Sequence, residues 1–152
     1  MSPDKVNFSG NVHGGHLLHF LDQVAYACAA RYSGGHVVTL SVDNVLFKEP
    51  IHVGELVTCD AAINYVGKTS IEVGIRVTAQ NLLTQKTRHT NTCYFTMVAV
   101  DENLHPREAP RLTAETAEQK LRQEEAKLRR EIRMRLQKEH ADRKAELRAK
   151  IK

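Results

Sequence analysis

HGGHLLHFLDQVAYACAARYSGG, residues 13–35, is followed directly by HVVTLSVDNVLF, residues 36–47. The two stretches repeat with different periods. In the first, Leu17, Leu18, Leu21, Val24, Ala25, Cys28 and Ala29 recur every three or four residues, the apolar face of a helix. The pattern predicts a helix of about 18 residues, beginning just after HGGH and stopping near Tyr32, where Ser33, Gly34 and Gly35 supply stop signals. Its few charges predict a helix largely enclosed by other structure. In the second stretch the period falls to two and β-branched residues take over, as in a strand.

Further strands follow. LVTCDAAINYV (56–66) ends at Gly67 and Lys68, and TSIEVGIRVTA (69–79) alternates cleanly, with Ile71, Val73, Ile75 and Val77 on one face. NLLTQ (81–85) is a turn and KTRHTNTCYFTMVAV (86–100) a long last strand. Four strands joined by short turns pair antiparallel. One long helix followed by such a meander is an α+β plan in which the sheet wraps the helix.

Outward from this block, residues 1–10 read as loop, and HPREAP (105–110) ends the domain. The expected division is a domain over 1–110 and a charged helical extension over 111–152. Thr113, Glu115 and Thr116 offer helix-start chemistry, and Leu121, Leu128, Ile132, Leu136, Leu147 and Ile151 form a thin, gapped stripe. Residues 1–110 carry 8 Lys/Arg and 10 Asp/Glu, whereas residues 111–152 carry 14 and 8. The net charge of +4 therefore belongs to the extension. That segment mixes both signs and has no aromatic residue, so it reads as a solvated helix, dispensable for chemistry, and nucleic acid is not an expected partner.

Composition removes other classes. The chain has 152 residues and three cysteines, none at CxxC spacing, so neither a disulfide framework nor a cysteine zinc site is expected. The free thiols suit a reducing cytoplasm. No apolar run is long enough to cross a bilayer, and MSPDKVNFSG has no apolar signal core. His13, His16 and His19 fan around a helix with no carboxylate to complete a ligand set, so no metal is expected. There is no GxSxG elbow, P-loop or GxGxxG.

Two features carry chemistry. Gly14 and Gly15 stand at a loop-to-helix junction, where unpaired N–H groups and the helix dipole suit a developing oxyanion. Packing alone would also account for two glycines. Asp22 sits within the apolar helix, with Leu18, Ala25 and Ala29 at i−4, i+3 and i+7. A carboxylate there is either costly or useful. Asp43, in the first strand, is a weaker candidate.

NFSGNVHGGHLLHFLDQVAYACAARYSG, VVTLSVDNVLFKEPIHVGELV, VGKTSIEVGIRV and YFTMVAVDENLHP together resemble the hotdog-fold acyl-CoA thioesterases of the bacterial and cytosolic acyl-CoA hydrolase type, over about residues 3–112. The resemblance implies hydrolysis of acyl-CoA to free fatty acid and coenzyme A, with no cofactor. It implies that Asn7 and Asp22 act together, one from each subunit of a dimer, and that three dimers form a hexamer. It places His13, Gly14 and Gly15 at the thioester, and Gly67, Lys68, Thr69, Ser70 and Arg88 near coenzyme A. In this role Asp22 is base or nucleophile, and Asn7 holds the water or the carbonyl. The family pattern also has a strand ahead of the residues that open this chain; a missing first strand would be expected to leave a neighbouring sheet edge unpaired. A dehydratase of the same fold and a non-catalytic acyl-CoA-binding regulator are the alternatives.

Overall fold

The computed structural model describes Asn7 and residues 10–151. The chain divides after Leu112 into two compact units. The HPREAP segment, read from sequence as the domain's end, folds back onto the first unit. The Ala109 N–H donates to the Lys68 carbonyl at 2.9 Å, Arg107 donates to the Ser33 carbonyl at 3.0 Å, and the Tyr32 hydroxyl donates to the Pro110 carbonyl at 3.0 Å.

Helix α1 spans Gly14–Ser33, 20 residues. It starts before the expected point because His13 caps it. The His13 carbonyl accepts from the His16 and Leu17 N–H groups, so both glycines lie inside the first turn. Gly34, at φ 66°, ends the helix in the left-handed conformation that glycine adopts without a Cβ clash.

Four strands follow: β1 (Val37–Val42), β2 (Leu56–Val66), β3 (Ser70–Gln80) and β4 (Thr87–Ala99). They form one antiparallel sheet in the order β1-β4-β3-β2. β1 is shorter than HVVTLSVDNVLF promised. The chain leaves the sheet after Val42, with the Asp43 N–H still donating to the Tyr94 carbonyl, and residues 43–50 run irregularly toward β2.

Alternation decides what the sheet buries. Ile71, Val73, Ile75, Val77 and Ala79 of β3 and Cys93, Phe95, Met97 and Ala99 of β4 are all sealed from solvent. On this face lie Leu17, Leu21, Ala25 and Ala29 of α1, whose spacing of four makes one stripe. The small Ala25 and Ala29 let the helix backbone approach the sheet. The helix is not enclosed all round as its composition predicted: the sheet covers one side, and Phe20 and Tyr26 remain exposed. Among the described strands β1 and β2 are the outer ones, and β1 shows Val38, Leu40 and Val42 to solvent.

In the second unit, helix α2 spans Ala117–Ile151, 35 residues. Thr116, rather than Thr113, starts it. Its hydroxyl accepts from the Gln119 N–H at 3.2 Å, and the Gln119 side chain accepts from the Thr116 N–H at 3.0 Å, a reciprocal capping box. Exposed pairs such as Glu118–Arg122 and Glu124–Lys127 add only about 0.3–0.5 kcal/mol each. No described helix is long and apolar enough to cross a membrane.

The packing makes a simple contrast. Leu21→Ala, which empties a sealed site, is expected to cost about 2–5 kcal/mol in urea unfolding. Leu83→Ala, at a residue 95% exposed in the β3–β4 turn, is expected to stay within about 0.5 kcal/mol.

Candidate active site

The N-terminus of α1 opens onto a cavity of about 340 Å³, lined by Asn7, Asn11, Val12, Gly14, Leu17, Phe47, Lys48, Glu49, Pro50 and Ile51. The loop before the helix is fastened there by the Val12 N–H, which donates to the Ile51 carbonyl at 2.8 Å.

The two glycines have different reasons. A Cβ on Gly14 would meet the Phe47 ring at 3.5 Å, an ordinary contact, so packing does not demand glycine. What Gly14 presents to the cavity is a bare backbone at the positive end of the helix, and among the described residues no acceptor is bonded to its N–H. The Gly15 N–H is already taken, since it donates to His13 Nδ1 at 3.0 Å. A Cβ on Gly15 would meet that same nitrogen at 3.2 Å, so glycine there preserves the cap. Of the pair expected to face a carbonyl, Gly14 is the available donor.

Asn7 folds over the same cavity. Its N–H donates to the Asn11 carbonyl at 2.7 Å, and its Oδ1 accepts from the Asn11 N–H at 3.1 Å. Asp22 is elsewhere. It lies beside the buried stripe of α1, half-buried, and accepts from the Thr39 hydroxyl of β1 at 2.7 Å. It does not line the cavity. Thr39 carries no motif of its own; only its place on the strand beside the helix puts it within reach, so sequence reasoning missed it, as it missed Phe47 and Lys48.

The sheet register separates these groups. Thr39 pairs with Met97 and Met97 with Ile71, one row from the Gly67–Ser70 turn. Arg88 pairs with Ala79, at the end where Asn7 is fastened. The two rows are eight residue steps apart on β3, Ile71 to Ala79, about 26 Å along the strand. Within one chain Gly67, Lys68, Thr69 and Ser70 thus sit at the far end of the sheet from Arg88 and the cavity. In that turn the Gly67 N–H donates to the Ser70 carbonyl at 2.8 Å, and Lys68 is exposed.

Arg88 is engaged on both arms of its fork. Nη1 and Nη2 donate to Oε1 and Oε2 of Glu55 at 2.5 and 2.8 Å, and Nη2 also donates to the Pro50 carbonyl at 2.5 Å. Glu55 is buried. The hydrogen bonds from Arg88, more than any other influence, hold its carboxyl below the usual carboxylate range, and the pair in turn raises the arginine. Burial pushes the Cys93 thiol up to about 12, which leaves it an inert core residue. Among the described residues no group of three or more His, Cys, Asp or Glu could hold a metal.

The sequence pattern of the thioesterase superfamily matches residues 9–85. The chain belongs to that superfamily. Protein VdlD of Helicobacter pylori is 51% identical to this thioesterase over 133 residues, 88% of this chain and 76% of that protein. An apo hexameric acyl-CoA thioesterase superposes with a TM-score of 0.85 at 36% identity, covering 89% of this chain and 86% of the other. The acyl-CoA hydrolase of Staphylococcus aureus, solved with butyryl coenzyme A and coenzyme A, superposes with a TM-score of 0.85 at 28% identity over 93% and 87% of the two chains. The four-stranded antiparallel sheet packed on α1 is accordingly the hotdog fold. That S. aureus enzyme has also been solved with single alanine substitutions of an asparagine, an aspartate 15 residues later and a threonine 17 residues after that.

The sign of the Glu55 shift sets a pH dependence. A carboxyl held low in the folded state contributes stability above its unfolded pKa and loses it as pH falls through the folded one. The advantage of the wild-type protein over Glu55→Gln in urea unfolding is expected to be full at pH 7, and to shrink below pH 4.5, the ordinary value. A difference independent of pH would show that the pairing contributes nothing through charge.

Proposed function

We propose that this thioesterase hydrolyses acyl-CoA to a free acid and coenzyme A, in the cytoplasm, at a site that two chains complete. The observation that carries the reading is the division of the machinery. Asn7 and the Gly14 N–H border one cavity, while the carboxylate of Asp22 is held at β1, an outer strand with exposed apolar side chains. The 15- and 17-residue steps between Asn7, Asp22 and Thr39 equal those between the substituted residues of the S. aureus hydrolase, which supports treating the three as one set.

In this reading the thioester carbonyl lies against Gly14, whose N–H and helix dipole stabilise the oxyanion. Asp22 of the second subunit takes a proton from water, which attacks the carbonyl carbon. Thr39, donating to one carboxylate oxygen, leaves the other for that water. Asn7 holds the water in place. Collapse of the tetrahedral adduct breaks the C–S bond, and the thiolate leaves as coenzyme A after taking up the proton. No metal or redox cofactor takes part. Lys48, at the cavity mouth, faces the anionic coenzyme.

Pairing two chains along β1 covers Val38, Leu40 and Val42 and makes a two-fold dimer. The same pairing carries the partner's Gly67–Ser70 turn, which shares the Thr39 end of the sheet, toward this cavity. Three such dimers would make a hexamer like the hexameric relative. The dehydratase reading requires a free catalytic histidine, and the Nδ1 atom of His13 is committed to the helix cap.

The test is release of free thiol from a panel of acyl-CoA esters. Wild-type protein is expected to turn over at least one ester, and Asp22→Asn to lower kcat about 100-fold or more at unchanged oligomeric state. Retention of half the wild-type kcat would remove Asp22 from the chemistry.

A further inference from the structure

Arg88 resembles a coenzyme A contact in sequence, yet its guanidinium is spent inside the chain. From it a continuous set of contacts runs to Asn7. Arg88 grips Glu55 through two hydrogen bonds. The second oxygen of Glu55 also accepts from the His52 N–H at 2.8 Å, and the Glu55 N–H donates to the His52 carbonyl at 3.3 Å, which closes the turn through Gly54, at φ 83°. His52 forms an antiparallel bridge with Asn11, and its Nδ1 lies 2.8 Å from Asn11 Oδ1. Asn11 then holds Asn7 by the two bonds described above.

We propose that Arg88, Glu55 and His52 are positioning residues that set the carboxamide of Asn7, and that Arg88 does not bind the coenzyme. This rests on the reading of Asn7 given under Proposed function. The Asn11 N–H needs an acceptor, so it fixes Oδ1 of Asn7 toward itself and turns the Nδ2 end away. Asn11 is held in turn on two sides, its backbone by the bridge to His52 and its Oδ1 by His52 Nδ1 at 2.8 Å. His52 is exposed and contributes little to the core, so its contact with Asn11 serves the loop. Glu55 and Arg88 fix His52 in turn, with Arg88 reaching from β4 across to Pro50 on the cavity wall. Recruiting Arg88 to a phosphate would leave the buried Glu55 carboxylate without its main partner, a costly exchange.

The experiment compares His52→Ala, His52→Asn and Arg88→Ala by kcat, KM and product inhibition by free coenzyme A. His52→Ala is expected to lower kcat about tenfold at unchanged Tm, with KM within about twofold. His52→Asn, whose side-chain N–H can reach the same acceptor, is expected to restore most of that loss. Arg88→Ala is expected to lower kcat similarly and to leave the inhibition constant of coenzyme A unchanged. Combined with Asn7→Ala, the His52→Ala change is expected to add no further loss. A His52→Ala protein with wild-type kcat overturns the proposal, as does an Arg88→Ala protein whose coenzyme A inhibition constant rises about tenfold with kcat intact. If Asn7→Ala itself turns over like wild type, the role given to Asn7 falls as well. If Asn7→Ala is inactive and His52→Ala is not, only the present proposal falls.

Discussion

Leu17, Leu21, Ala25 and Ala29, laid on the alternating residues of β3 and β4, form the contact that the other features of the domain follow from. The stripe has a four-residue spacing and is one residue wide. Leu18, Val24 and Cys28 flank it, half-buried against the same core. The neighbouring helix positions are therefore left at its margins, and Asp22 is one of them. A carboxylate one position around from Leu21 escapes the core but stays close enough to the sheet to take a hydroxyl from Thr39. A wider apolar face would have buried it, at a cost only a partner could offset.

The same contact aims the helix ends. Its N-terminus is directed to the end of the sheet where residues 50–55 cross toward β2, and the first turn becomes one wall of a cavity. His13 then divides the two glycines. One N–H closes the cap, and the next one toward the loop faces the cavity. An N-terminus capped on both would be stable and chemically silent. The donor left over, in the first turn of α1, keeps the positive end of the helix open to the cavity.

Much of this was legible in the sequence, and the exceptions have physical causes. LVTCDAAINYV matched β2 residue for residue, β3 lay one residue further on and β4 lost one residue at each end, because strand-rich runs bounded by turn residues leave little freedom at their ends. The start of α1 was misjudged because two glycines look like a break, and their acceptance rests on a ring nitrogen whose reach no periodicity reports. Asp22 stood out as a charged residue on an apolar face. Thr39 did not, since one threonine in a β-branched strand is unremarkable until the fold sets it against the helix. Arg88 was placed near coenzyme A by resemblance because nothing local reveals its partner, Glu55, which lies 33 residues earlier in the turn before β2. The few charges of α1 made it look enclosed, yet Phe20 and Tyr26 are exposed, as are Val38, Leu40 and Val42 of β1. Their apolar character reports a surface that one chain leaves open.

In the proposed site the cavity with Asn7 and the carboxylate of Asp22 meet between chains. Subunit mixing tests it most directly. Asn7→Ala and Asp22→Ala proteins, each inactive alone, are unfolded and refolded together and assayed for thiol release. Random pairing makes about half the dimers mixed, and each mixed dimer has one intact site, so activity is predicted to recover to about a quarter of wild type. If mixed dimers form and activity does not recover, both residues of a site come from the same chain and the shared-site account is wrong.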